Sequence, residues 1–451
     1  MFDLKYENGL MKKLLNITWP IFIEQLLFML LGSMDIFMLG RFSDNAVGAV
    51  GIVNQIIGML TLMFGIITLG TTILCAQYIG AKRSNCDMIR LVFTSIMVNL
   101  VLGVIISILL SVFSDSFLKF MNVAPELYDY SSSYIKIVGG FILIQALTMT
   151  FSAILRSFGC TKICMTTTFI MNLINVVFNY ILIFGNFGFP KLGVTGAAIS
   201  TTLSKIVGGI ILGYILFTKV LPKFHFKYLK ESLKPELKNI FLMGAPSAGE
   251  QISYSTAKIV TTIILTHISI AAVTTNSYIN NICMFIYVFA TSIGEGTAIL
   301  VGRLVGDGNN DAAHDLCLSS FKKAFVISSI MACIVAFLGK NIFGIFTTNA
   351  EIIDIGTKVL FVNIFLEIGR TFNVVIINSL RAAGDVRFPV YIGICSMWTV
   401  GVLLAYFLSI TLNLGMPGMW MALALDEWTR GIIMYKRWTR KKWYGKALVT
   451  K

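Results

Sequence analysis

The chain has 451 residues, 56% of them hydrophobic and only 13% charged. A soluble domain runs near 45–50% apolar and about 25% charged, so the composition excludes a protein whose surface meets only water. The net charge of +14 would suggest nucleic acid in a soluble protein. Here Lys and Arg fall in short connections between apolar runs, where they suit anionic lipid headgroups. No basic stripe interleaved with aromatics is present, so no nucleic-acid partner is expected.

Residues 2–13 are amphipathic and charged, with no apolar core ahead of Leu14. The first apolar segment is therefore expected to be retained rather than cleaved. A bilayer core of ~30 Å takes roughly 20 helical residues, and backbone in lipid must bond within its own segment. In chain order the apolar runs predict spans at 14–40, 46–79, 88–113, 128–155, 162–185, 193–218, 238–268, 272–305, 321–346, 352–380, 387–412 and 416–435. The second and eighth are long, roughly 50 Å at about 1.5 Å per residue. Gly65, Gly70, Gly294 and Gly296 are expected to be their weak points.

Lys and Arg concentrate on alternate connections, such as Lys82 and Arg83, Arg156 and Lys162, and Lys436 to Lys442. By the positive-inside bias both termini are cytoplasmic, which demands an even number of spans in a multi-pass protein of the cell membrane. The eight cysteines lie in apolar segments or in connections on the reducing side, where they act as small hydrophobes rather than disulfide partners. Cys160 and Cys164 lack zinc-ligand spacing and the chain has three histidines, so no zinc site is expected.

The two halves repeat one another. Pro20, Glu24 and Gln25 match Pro246, Glu250 and Gln251 at an offset of 226, as does GTTILCAQYIG (70–80) with GTAILVGRLVG (296–306). LRSFG (155–159) matches LRAAG (380–384) at 225, and GVTG (193–196) matches GMPG (415–418) at 222. The fold class is thus all-α integral membrane: about 12 transmembrane helices in two pseudo-symmetric six-helix lobes. The lobes are 1–218 and 238–451, joined by a basic cytoplasmic linker at 219–237. Six spans per half is even, so the halves share an orientation and relate by an axis along the membrane normal.

Several of these segments, with MDIFMLGRFSDNAVGAVG (34–51) and NLINVVFNYILIFG (172–185), resemble the multidrug and toxic compound extrusion (MATE) family across nearly the whole chain. The resemblance implies a secondary active exporter, an antiporter that moves a cationic or amphipathic small molecule such as a drug outward in exchange for H⁺ or Na⁺. Alternating access would come from rocking of the two lobes. It implies no cofactor beyond the coupling ion, a small-molecule substrate, membrane lipid as surroundings, and a monomer. The alternative reading is a lipid-linked or metabolite flippase of the same superfamily. An enzyme is not expected: no HExxH, GxSxG or Walker motif occurs.

Ionisable groups inside spans are costly and usually functional. Asp35, fifteen residues after Pro20, stands where the family places its amino-terminal cation site, able to carry a proton or, with oxygen neighbours, Na⁺; no other metal is expected. Asn175 and Asn179, four residues apart, share one face of their own helix, where the family places an Asn and an Asp or second Asn, and Thr201 fits the accompanying Thr; Asn179 stands where several relatives carry a second carboxylate. Glu24 and Glu250, at matching depths, are candidate cavity acids for cations, or a symmetric device relieving the backbone at the two prolines. Lys258 is placed to pair with an acid across the cavity, and Glu295 to line the path or cap a kink. Glu367 and Arg370 read as a structural i, i+3 pair. Asp426, Glu427 and Arg430 read as a charge cluster near the cytoplasmic gate, with Lys205 aligned to Glu427 in the repeat.

Overall fold

The computed structural model describes residues 4–221 and 233–449. The greater part of the predicted linker, 222–232, lies outside the described residues. In chain order the helices are α1 (Leu4–Gly40), α2 (Asp44–Gly80), α3 (Asn85–Val112), α4 (Ser114–Phe120), α5 (Pro125–Tyr134), α6 (Ile142–Ser157), α7 (Thr161–Phe184) and α8 (Val194–Ile215). They continue with α9 (Lys234–Ile268), α10 (Ile270–Gly306), α11 (Asn310–Phe337), α12 (Gly339–Phe346), α13 (Ala350–Ala382), α14 (Arg387–Ser396), α15 (Leu404–Tyr406) and α16 (Gly415–Thr439). Among the described residues nine helices are long and apolar enough to cross a membrane, ten if the bent pair Pro125–Gly139 and Ile142–Ser157 is one span. α9 and α16 are long but outside that set; each of the dozen predicted stretches falls on helical residues, two of them, 128–155 and 321–346, on a pair of helices. Many large apolar side chains point outward, among them Phe120 at 90% and Ile270 at 85% exposed. Such a surface suits lipid and would aggregate in water.

The repeat extends into local geometry. Ser84 caps α3 by accepting from Asp87 N, and its mate Asn309 caps α11 by accepting from Ala312 N. Both helices are followed by a short one, α4 and α12. That cap starts α11 at Asn310, eleven residues ahead of the predicted 321, and the predicted span to 346 is broken at Leu338. Hydropathy misses the start because the capped turn is polar. Gly159 (φ +82°) and Gly384 (φ +91°) turn the chain at matching positions in a left-handed conformation that L side chains resist. The offset falls from 225 to 222 because the loop after α7 is longer than the one ahead of α16.

The expected weak points in α2 and α10 are not breaks. Both helices run unbroken for 37 residues, and Gly70, Gly294 and Gly296 serve close approach instead, while Gly65 faces open space. A Cβ at Gly70 would strike the Ile240 carbonyl, and one at its mate Gly296 would strike Thr18. A Cβ at Gly80 would fall on the Arg303 carbonyl, and one at Gly306 on the Gln77 carbonyl. This is small-xxx-small packing, Ala76-x-x-x-Gly80 against Gly302-x-x-x-Gly306, in which backbones meet without intervening side chains. The sharp bend lies elsewhere, 45° between Gly139 and Ile142 beyond a π-helical stretch, Ile135–Gly139. Ser107 Oγ accepts the N–H of Leu143 there at 3.2 Å, so the backbone freed by the bend stays bonded.

By contacts the chain forms two compact units. One comprises 23–75 and 83–244, and the other 1–22, 76–82 and 245–451. The start of α1 thus groups with the second half of the sequence, and the start of α9 with the first. The glycine contacts give the reason: α10 receives Leu14 and Thr18 at Gly296, while α2 receives Ile240 at Gly70. The first-half unit is built around Leu39, Val53, Phe64, Ile135 and Ile183. The two larger apolar clusters of the second-half unit lie around Leu265, Phe343 and Leu360 and around Ile21, Val301, Leu380 and Trp438.

Candidate functional site

Within the first-half unit α1, α7 and α8 bring Asp35, Asn175, Asn179 and Thr201 together, as the sequence predicts. Asp35 is 8% exposed. Asn179 Nδ2 donates to its Oδ1 at 2.5 Å, and Thr201 Oγ1 donates to its Oδ2 at 3.2 Å. Asn175 and Asn179, one turn apart on α7, are linked at 3.1 Å, and Asn175 Nδ2 donates to Thr201 Oγ1 at 3.3 Å. Asp35 is thus held by neutral donors, with no guanidinium in contact among the described residues. Asn179 Oδ1 is buried without a hydrogen-bond partner.

Two further members escape sequence reasoning. Tyr134, at the end of α5 and 2% exposed, lies beside Thr201 and in the field of Asp35. Its signal is the polar run YDYSSSY (128–134) entering an apolar span. Lys205 follows Thr201 by one turn of α8, and Asp35 is the charge acting on it. It lines a cavity of about 10 Å³ with Ile57, Gln145 and Thr202.

Glu24 and Glu250 are not free acids. Arg156 Nη2 donates to Glu24 Oε1 at 2.8 Å. At the matching place Arg381 Nη2 donates to Glu250 Oε2. Each half joins the Glu of its Pro-x-x-x-Glu-Gln to the Arg of its Leu-Arg-x-x-Gly. Both arginines lie in motifs the sequence marks as repeated, yet nothing in one strand of sequence tells that they meet these acids.

In the second-half unit the predicted pair is present: Arg370 Nη1 donates to Glu367 Oε1 at 2.6 Å. The predicted Asp426–Arg430 contact is present at 2.7 Å, and Arg430 also reaches Glu427 at 3.1 Å. Glu427 lies 3.8 Å from Arg370 and accepts from Asn373 Nδ2 at 2.9 Å, so the two clusters are one network joining α13 to α16. Ser396 adds a bond to Asp426 at 2.6 Å. Lys258 is exposed and has no ion pair among the described residues, contrary to its expected pairing. Glu295 is half-buried in α10 between Gly294 and Gly296, and α10 has no kink there for it to cap.

A last cluster was not anticipated. Asp385, 3% exposed, accepts from Arg437 and from Lys446 Nζ, the latter at 2.7 Å. Trp438 and Trp443 stack at 4.3 Å, both buried. Lys441 donates to Asp311 at 2.6 Å, which holds the ammonium above its ordinary pKa. The tail after α16 is thus fastened to the start of α11 and to the turn after α13.

Comparison with known proteins places these features. The MatE family profile matches twice, over residues 20–181 and 246–407, which is the repeat seen in the sequence. An uncharacterized transporter of Bacillus subtilis, YisQ, is 40% identical over 96% of this chain and 95% of its own. A probable multidrug resistance protein NorM of Thermotoga maritima is 28% identical over 98% and 94%. Among solved structures, a MOP superfamily transporter of Pyrococcus furiosus superposes with a TM-score of 0.87 at 21% identity, covering 96% of this chain and 95% of the other. A mutant of the Vibrio cholerae MATE transporter VcmN gives 0.89 at 16%, covering 96% and 97%. At these identities the structures establish the shared fold.

Proposed function

Because the chain belongs to the MatE family, whose members are transporters and not enzymes, we propose that it is an antiporter. It exports cationic, amphipathic small molecules from the cell in exchange for H⁺ or Na⁺. The observation that carries this reading is the state of Asp35. Glu24, Glu250, Glu367, Asp385 and Asp426 each have an arginine. Asp35 has only neutral donors. A carboxylate kept inside a span without a fixed counter-charge favours a mobile one. A coupling ion and a cationic cargo compete for it in turn, which links their opposite movements. Thr201, Asn175 and Asn179 orient the carboxylate, and Tyr134 orients Thr201.

In this reading the two six-helix lobes, 1–218 and 238–451, joined by the linker at 219–237, rock to give alternating access. The protein sits in the cell membrane as a monomer with both termini cytoplasmic, the basic connections facing the anionic inner leaflet. The test is substrate-stimulated dye efflux from proteoliposomes with an H⁺ or a Na⁺ gradient imposed alone. Asp35→Asn should abolish efflux under whichever gradient drives the native protein. Undiminished transport by Asp35→Asn under that gradient would overturn the assignment.

A further inference from the structure

We propose that Lys205 is a tethered cation that enters the oxygen shell of Asp35 and bars Na⁺ from it, leaving H⁺ as the coupling ion. The inference rests on the reading of Asp35 as the coupling carboxylate.

Lys205 is an ammonium group on a span, four residues beyond Thr201 and so on the same face of α8. Among the described residues it makes no ion pair or hydrogen bond, and Asp35 is the charge that acts on it. A charged side chain at this depth is costly unless it is paired. Its flexible four-carbon stem lets the charge move. The small cavity it lines is about the size of one water, and its stem leaves α8 one turn from Thr201, whose hydroxyl holds Asp35.

The receiving end has matching chemistry. Asp35 offers two carboxylate oxygens with no cationic donor in contact. Asn179 Oδ1 beside it is a buried acceptor without a partner. An ammonium brings three donors and no acceptor, which is what these oxygens lack. Gln145 and Thr202, the other polar groups around the cavity, are neutral, so nothing else competes for the charge.

The two coupling ions make different demands on this shell. Na⁺ is a hard cation that must replace its water with several oxygens at once. Those are the oxygens the lysine claims, and the ammonium would have to leave. A proton needs one carboxylate oxygen. The protonated carboxyl keeps acceptor capacity, so Lys205 can stay bonded to it. Lys205 therefore discriminates by occupying ligands rather than by net charge, since either ion adds one positive charge to the site.

The repeat sharpens the point. Lys205 corresponds to Glu427, which lies between Arg370 and Arg430. The second half fixes its charges against each other at this position, and among the described residues the first half leaves a lysine without an ion pair on the helix face that carries Thr201.

The experiment uses the full chain in proteoliposomes at equal pH on both sides, with a Na⁺ gradient as the only drive, and a ΔpH as the only drive in parallel. The native protein should respond to ΔpH and not to Na⁺. Lys205→Met should gain Na⁺-driven efflux of about tenfold over background, the scale of a site-to-site coupling. Lys205→Arg, which keeps a tethered cation, should not gain it. The same contrast should be read without transport: NaCl, but not choline chloride, should raise the melting temperature of detergent-purified Lys205→Met and of a second variant, Lys205→Gln. Adding Asp35→Asn should remove that shift. Native efflux driven by Na⁺, or folded Lys205→Met and Lys205→Gln that ignore Na⁺ in both measurements, overturns the proposal and leaves the role of Asp35 standing. A Na⁺ response that survives Asp35→Asn overturns the role of Asp35 itself.

Discussion

The two units hold their buried acids in the same way at one place and in opposite ways at another. At the shared place each half locks a glutamate to an arginine, Glu24 to Arg156 and Glu250 to Arg381. At the other, the first half has Asp35, Asn175 and Asn179 where the second has Thr261, Val400 and Leu404, and Lys205 where the second has Glu427. Thr261 merely returns its hydroxyl to the Lys258 carbonyl at 2.9 Å. What the halves share is framework, and what they do not share includes the candidate site at Asp35. A departure from the repeat is therefore a better pointer to function than an acid as such.

The largest expected effect breaks the comparison at its centre. Asp35→Asn should lower ion-driven efflux on the order of tenfold or more, while Thr261→Ala at the matching site should leave it near native; dye efflux under a single gradient reads both. Next comes the shared pair. Arg156→Ala strands a fully buried Glu24, and removal of one partner of a buried pair costs about 3–5 kcal/mol. Arg381→Ala should cost less, because Glu250 is 16% exposed against 0% for Glu24. Detergent thermal melts measure the order, and the double change Glu24→Gln with Arg156→Gln should recover part of the loss.

Smaller effects test the framework itself. Gly80→Ala and Gly306→Ala both push a methyl onto a facing carbonyl. Each should lower stability by about 1–3 kcal/mol, as overpacking does, and the two melts should agree if the crossing is as symmetric as its contacts. The tail cluster lacks a partner in the repeat, since Cys160 stands where the second half has Asp385. Asp385→Asn should expose the chain after residue 436 to limited proteolysis, and Cys160→Ala should not. The smallest effect is at Lys441, whose bond to Asp311 joins two exposed groups. With its pKa raised, its contribution is fully present below the ordinary lysine pKa and is lost as pH climbs through the raised one. Solvent screening makes it slight, so Lys441→Ala should melt with the native protein from neutral pH to about pH 10.

Asp35 and its three predicted neighbours are legible because helical spacing puts Asn175 and Asn179 on one face and the family resemblance supplies the rest. Tyr134 and Lys205 were not read as members. Tyr134 sits ahead of a bend at Gly139, and an isolated lysine carries no spacing signal. The arginine partners of Glu24 and Glu250 were hidden for a simpler reason: more than 130 residues separate each pair. Lys258 shows the converse error, since proximity on one helical wheel says nothing about which neighbour, if any, faces it.

The sequence by itself determined the membrane class, the helices and the twofold repeat. Each follows from local chemistry: an apolar run of sufficient length must be a helix in lipid, and a duplicated pattern survives as residues at a fixed offset. Only the tertiary structure decided which buried charges are spent on each other and which remain to act. Pairing is a property of distance in space, and the Glu24–Arg156 bond of 2.8 Å bridges 132 positions of chain.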